Sequence, residues 1–120
     1  KSGTKFVGTN IGMNDLIRPA LYDAVHPTYF YSPHQRQNEQ IVTVVGPICE
    51  SGDILLRDIM VPVLEPGDIL AIPAAGAYAP SMANNYNMVP RPAVIMVNNG
   101  KSRVIRRRET YEDMMIYDLA

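Results

Sequence analysis

Apolar positions in this chain cluster in short runs separated by glycine, proline and asparagine, a rhythm that predicts strands rather than long helices. Lys5 to Asn10 and Thr28 to Ser32 are rich in β-branched and aromatic residues, and Gln40 to Val45 is nearly continuous apolar. The last of these has the pattern of a strand buried on both faces. Ile54 to Val61, ended by Pro62, comes next, then Asp68 to Ile72, Ala93 to Val97 and Arg103 to Arg107. Glu65-Pro66-Gly67-Asp68 is the strongest turn signal, with proline pre-set for the first turn position and glycine for positive φ. Asn98-Asn99-Gly100 reads as a tight hairpin. Asn14-Asp15 is expected to cap a short helix from about Leu16 to Ala24, with Pro19 tolerated in its first turn. Thr110 followed by Asp113 resembles a capping box that opens a final turn through Met115. The expected fold class is all-β, a mainly antiparallel barrel or sandwich with short helices.

Composition narrows the picture. At 120 residues and 47% apolar, the chain has room for one core and one domain. A net charge of −1 gives no pull toward nucleic acid or a membrane surface. No apolar run approaches the roughly 20 residues needed to span a bilayer. No signal peptide is visible, and one unpaired cysteine fits a reducing, cytoplasmic setting. The lack of an initiator methionine points to a piece of something longer.

Three segments could carry chemistry. Cys49 and Glu50 lie in Gly46-Pro47-Ile48-Cys49-Glu50-Ser51-Gly52-Asp53, where a strand gives way to a turn. Rigidly flanked turns expose reactive groups, and a neighbouring carboxylate disfavours thiolate, which suits proton donation better than nucleophilic attack. The same pair also reads as a small buried residue beside a solvated carboxylate. Arg18 and Tyr22, four apart, share a helical face and could present a cation and a phenol to one anion, or simply pack together. Ala74 to Arg91 is long, poor in charge and rich in amides and phenols, including Tyr86. Such a stretch is either functional or a self-packed loop. His26, His34 and Cys49 lack metal-ligand spacing. Arg103, Arg106, Arg107 and Arg108 are followed at once by Glu109, Glu112 and Asp113, which favours a solvated sheet edge over a nucleic-acid patch.

Five stretches, in this order, resemble the diaminopimelate decarboxylase family of pyridoxal-phosphate enzymes. They are Gly12-Met13-Asn14-Asp15-Leu16-Ile17-Arg18-Pro19-Ala20-Leu21-Tyr22, the Gly46 to Asp53 run with its Cys-Glu-Ser motif, and Glu65-Pro66-Gly67-Asp68. Gly76-Ala77-Tyr78 through Asn85-Tyr86-Asn87 to Pro90-Arg91-Pro92 is the fourth, and Arg106 through Asp113 the fifth. The related ornithine and arginine decarboxylases typically carry aspartate after the cysteine. Two departures, Asn10-Ile11-Gly12 and Ala93-Val94-Ile95, fall on positions without an assigned role.

The resemblance implies that residues 1–120 are the C-terminal β domain of a two-domain enzyme of the alanine-racemase-like architecture. It implies a separate N-terminal (β/α) barrel that holds pyridoxal 5'-phosphate on a lysine, since Lys1, Lys5 and Lys101 do not match that lysine. The implied reaction is decarboxylation of meso-2,6-diaminopimelate to L-lysine and carbon dioxide. Cys49 matches the family's proton donor, Glu50 the residue that reads the distal ammonium, Arg18 and Tyr22 the pair that holds the distal carboxylate. Tyr86 matches the tyrosine that touches cofactor and substrate. An obligate homodimer with shared sites is implied, with Cys49 and Glu50 placed in the neighbouring subunit's site, and the isolated piece is expected to be inactive. Two other readings stay open: a related decarboxylase of basic amino acids or polyamine precursors, and a stand-alone β domain for binding or dimerisation.

Overall fold

A computed structural model describes residues 3–34 and 38–119, so Lys1 lies outside the described residues. Seven strands and three short helices follow one another: β1 (Lys5–Gly8), α1 (Arg18–Tyr22), β2 (Tyr29–Tyr31), β3 (Glu39–Val45), β4 (Ile54–Pro62) and β5 (Ile69–Ala71). Then come α2 (Ala79–Met82), a 3-10 turn at Tyr86–Met88, β6 (Val94–Asn98), β7 (Lys101–Arg106) and α3 (Tyr111–Met114). The all-β expectation with short helices holds, and each expected strand is present within one or two residues of its expected ends.

The strands pair as three sheets, β1-β3-β4, β2-β5 and β6-β7. β3 is the centre of the largest. Val42, Thr43 and Val44 are consecutive and all buried, as a strand covered on both faces requires. Antiparallel pairing dominates, but β1 runs parallel to β3, with Lys5 opposite Val42. Parallel neighbours need a crossover connection, and here that crossover carries α1. The core gathers Leu16 from the crossover, Val42 and Val44 from β3, and Leu55, Leu56 and Val61 from β4.

The turns behave as their residues dictate. Gly67 has φ +98° and the Asp68 N–H donates to the Glu65 carbonyl at 3.1 Å, the geometry of a type II turn. Asn99 and Gly100 both take positive φ between the paired Asn98 and Lys101, closing the β6–β7 hairpin as a type I′ turn. The Thr110–Asp113 capping box forms at α3. The first helix is shorter than expected, and Asn14-Asp15 does not cap it: Ile17 stands at the N-cap with no side-chain bond, and Pro19 lies in the first turn. Asn14 and Asp15 sit one turn too early, in a bend where the Asp15 and Leu16 N–H groups donate to the Gly12 carbonyl. The Ala74 to Arg91 stretch is not an unstructured loop; it contains α2 and the 3-10 turn. No helix among the described residues is long and apolar enough to cross a membrane.

Candidate active site

Residues 46–53 join β3 to β4, so Cys49 and Glu50 sit at the tip of the central hairpin. The tip is braced by its own backbone. The Gly46 N–H donates to the Asp53 carbonyl at 3.1 Å, the Asp53 N–H to the Glu50 carbonyl at 3.0 Å, and the Glu50 N–H to the Ile48 carbonyl at 2.7 Å. Ile48 is buried and plugs the tip into the domain, which leaves Cys49 and Glu50 exposed on its outer side.

Glu50 is the most engaged side chain of the tip. Its Oε1 accepts from the Gly52 N–H and the Ser51 hydroxyl, each at 3.3 Å, and its Oε2 accepts from the Tyr86 phenol at 3.2 Å. The Gly52 N–H, the Tyr86 phenol and the Ser51 hydroxyl favour the anion and hold this carboxyl below its ordinary value. Reciprocally, the hydrogen bond to Glu50 and its charge push the Tyr86 phenol up. At neutral pH the pair is therefore an anion with a neutral donor beside it.

Tyr86 is delivered by an unusual piece of backbone. Asn87 and Met88 both have φ of 57°, a left-handed conformation that asparagine tolerates and methionine does not favour. Hydrogen bonds hold it there: the Tyr86 N–H donates to the Asn84 side-chain oxygen at 3.0 Å, and the Asn85 amide donates to the Val89 carbonyl at 3.0 Å. Glu109 draws both ends of the segment together. Its carboxylate accepts from the Asn85 amide at 2.7 Å, the Arg91 N–H at 2.8 Å and the Arg91 guanidinium at 2.7 Å. Partial burial pushes the Glu109 carboxyl up, but the Arg91 N–H, the Asn85 amide and the Arg91 cation outweigh it and hold it below its usual value.

Arg18 and Tyr22 do share one face of α1. The guanidinium carbon lies 5.7 Å from the Tyr22 ring centroid and 5.6 Å from that of Tyr78, so the cation rests between two phenol rings at cation–π distance. Tyr22 is 60% exposed, which leaves the pair open to an anion arriving from solvent. The structure thus brings Glu50 to Tyr86 beside Cys49, and Arg18 to Tyr22. Among the described residues no hydrogen bond or ring contact joins one group to the other. They are tied through backbone instead: the Asn84 N–H donates to the Asn14 carbonyl at 2.9 Å.

Sequence reasoning assigned no role to Tyr78, Asp53 or Glu109. Glu109 lies in a motif that reads as a solvated edge, while Arg107, from the same motif, pairs with Asp113 instead of standing free. Glycine at positions 12 and 46 is the signal that could have found Asp53, because a Cβ at either would overlap its carboxylate. No group of three or more His, Cys, Asp or Glu side chains among the described residues is arranged to hold a metal. The two described lysines lie elsewhere: Lys5 donates to Gln40 at 3.0 Å, and Lys101 opens β7 beyond the hairpin turn.

Residues 1–76 match the family model described as "Pyridoxal-dependent decarboxylase, C-terminal sheet domain". The diaminopimelate decarboxylase of Bacillus subtilis is 46% identical over 115 residues, covering 96% of this chain and 26% of that protein. The structure of diaminopimelate decarboxylase from M. jannaschii in complex with L-lysine superposes with a TM-score of 0.88 at 39% identity, over 100% of this chain and 27% of that one. The Helicobacter pylori enzyme complexed with L-lysine gives a TM-score of 0.87 at 43% identity, over 97% of this chain and 28% of its own. The chain spans about a quarter of the length of the curated relatives it matches.

Proposed function

The chain belongs to the pyridoxal-dependent decarboxylases as their C-terminal sheet domain, and from this premise we propose that it completes the active site of a diaminopimelate decarboxylase. The reaction removes carbon dioxide from meso-2,6-diaminopimelate and leaves L-lysine. The observation that carries this reading is the hairpin tip, where a thiol and a carboxylate stand outward and the Tyr86 phenol reaches them, with no lysine beside them among the described residues.

That donor set fits a substrate and one flank of pyridoxal 5'-phosphate, while the group's covalent anchor belongs to a barrel domain outside these residues. When bound, pyridoxal phosphate supplies an electron sink for the carbon that loses carbon dioxide. Everything else falls to side chains. The Cys49 thiol carries the proton that this carbon requires, and the braced turn fixes its direction of approach. Glu50, kept anionic by its donors, takes the distal ammonium in a charge-assisted bond. Arg18, oriented by two rings, takes the distal carboxylate with the Tyr22 hydroxyl beside it. Tyr86, steered by its bond to Glu50, would help hold both substrate and cofactor. Cys49 and Glu50 face outward from the hairpin tip, which supports their completing the neighbouring subunit's site in a homodimer with shared sites. The setting is cytoplasmic.

The test is a full-length enzyme with Cys49→Ala. Lysine formation is expected to fall by about a hundredfold or more, from the lower end of the range for loss of a proton-transfer group upward, while the yellow cofactor absorbance is retained. Unchanged lysine formation sinks the role of Cys49.

A further inference from the structure

Asp53 is buried at 3% exposure, the one carboxylate among the buried polar residues described. A buried carboxylate is costly unless its oxygens are satisfied, and here each has its own donor. Oδ1 accepts from the Met13 N–H at 2.7 Å and Oδ2 from the Ile48 N–H at 2.7 Å. Both distances are at the short end, as charge-assisted bonds are. Neither donor is engaged in a strand ladder, so the carboxylate is what holds them.

The positions of the two donors matter. Ile48 immediately precedes Cys49 and Glu50. Met13 opens the bend that closes on the Gly12 carbonyl, passes through buried Leu16 and enters α1 at Arg18. One side chain therefore grips both segments that end in candidate active-site groups. The surroundings leave it no slack. A Cβ on Gly12 would lie 2.8 Å from Oδ2 and 2.9 Å from Oδ1. A Cβ on Gly46 would meet the same carboxylate at 2.4 Å, and the Gly12 Cα at 2.4 Å. Glycine at both places lets two backbone segments close around Asp53. Asparagine would not replace it, since its NH2 would face one of two N–H donors that both need an acceptor.

We propose that Asp53 is a positioning residue that sets the Cys49–Glu50 tip against the segment carrying Arg18 and Tyr22. The carboxylate touches neither substrate nor cofactor; it acts through the Ile48 and Met13 amides. This inference rests on the decarboxylase reading for its kinetic consequence, but its structural core can be decided without it.

The experiment is hydrogen exchange and kinetics on the full-length enzyme with Asp53→Asn. Amides in the peptides spanning 10–16 and 46–50 are expected to exchange at least tenfold faster, with the β6–β7 hairpin unchanged as the internal control. In the kinetic arm, Glu50→Gln raises KM steeply in the wild-type background and little in the Asp53→Asn background, because Glu50 is already misplaced there. General destabilisation would instead leave the two effects independent. If Asp53→Asn gives no soluble protein, Gly12→Ala disturbs the same contact with the carboxylate retained, and the same outcomes apply. Unaltered exchange in either segment overturns the clamp, as does a Glu50→Gln effect of equal size in both backgrounds. A wild-type enzyme that does not turn over diaminopimelate refutes the proposed function alone, and the exchange result still decides the clamp.

Discussion

Glu50 shows how much a single exposed side chain can be tuned by its own turn. Its carboxyl is held below the ordinary 4.5 by the Gly52 N–H first, then by the Tyr86 phenol and Ser51 hydroxyl. A carboxyl lowered in the folded state contributes above its ordinary value, and the contribution is lost as pH falls through the lower folded value. Tyr86→Phe removes one donor, so the Glu50 titration is expected to move up toward its ordinary position, read by carbon-13 NMR of the labelled carboxyl. Glu50→Gln is expected to lower kcat/KM for diaminopimelate by about ten- to a hundredfold, the range for losing one charge-assisted bond, and competing substrates without a distal ammonium should lose little. At this scale the sequence was legible where a local motif fixes position, as in the exposed turn that carries Cys49 and Glu50. It was silent on Asp53 and Glu109, because Met13 lies 40 positions from Asp53 and Arg91 lies 18 from Glu109. Spacing cannot express a bond made across the fold.

Elements reveal a different division. Turns written in two to four residues were readable, since glycine and asparagine adopt positive φ at little cost and others do not. Gly100→Ala is accordingly expected to cost about 1–2 kcal/mol in denaturant unfolding, because it forces a Cβ into the left-handed region. The start of α1 was misjudged for a physical reason: Asn14 and Asp15 are good capping types, but the bend on Gly12 uses them before the helix begins. The segment delivering Tyr86 was not readable either, since Met88 has no local preference for φ of 57° and is held there by neighbours. Glu109 is the chief of these, so Glu109→Gln is expected to destabilise by about 1–3 kcal/mol, seen as a lower midpoint in urea. Its carboxyl too is lowered on folding. The tie is therefore present above the ordinary carboxylate range and lost on acidification, and the variant should flatten that acid-side loss.

The whole molecule is more open than its length requires. A compact domain of this size has a radius of gyration of about 13–14 Å, whereas the Cα radius here is 16.1 Å with extents of 52 × 43 × 25 Å. The buried core is confined to Leu16 and the β3–β4 hairpin, while Ile95, Met96 and Val97 of β6 and Val104 and Ile105 of β7 are all exposed. Apolar residues exposed in succession on both faces of a hairpin mark surface that another body covers. The isolated 120 residues are expected to associate in sedimentation and to decarboxylate nothing, and lysine production by this piece alone would refute the division of labour proposed above. The core is also fragile: Val44→Ala, at a fully buried position, is expected to cost about 2–4 kcal/mol. The all-β class was legible because strand periodicity is local. The parallel pairing of β1 with β3 was not, because a strand's own pattern does not say which way its neighbour runs.

That parallel pairing has a consequence in time. β3 and β4 are joined by a short turn and can meet early, whereas Lys5 must find Val42 across the whole crossover. Closing that long loop costs chain entropy before any contact repays it. The hairpin with Cys49 at its tip is therefore expected to form in the transition state, and the helix with Arg18 to arrive after it. Mutations in β4 should slow refolding, while those in β1 should mainly speed unfolding. The Cys49 thiol and the Arg18 guanidinium would then take their places at different moments of the chain's history.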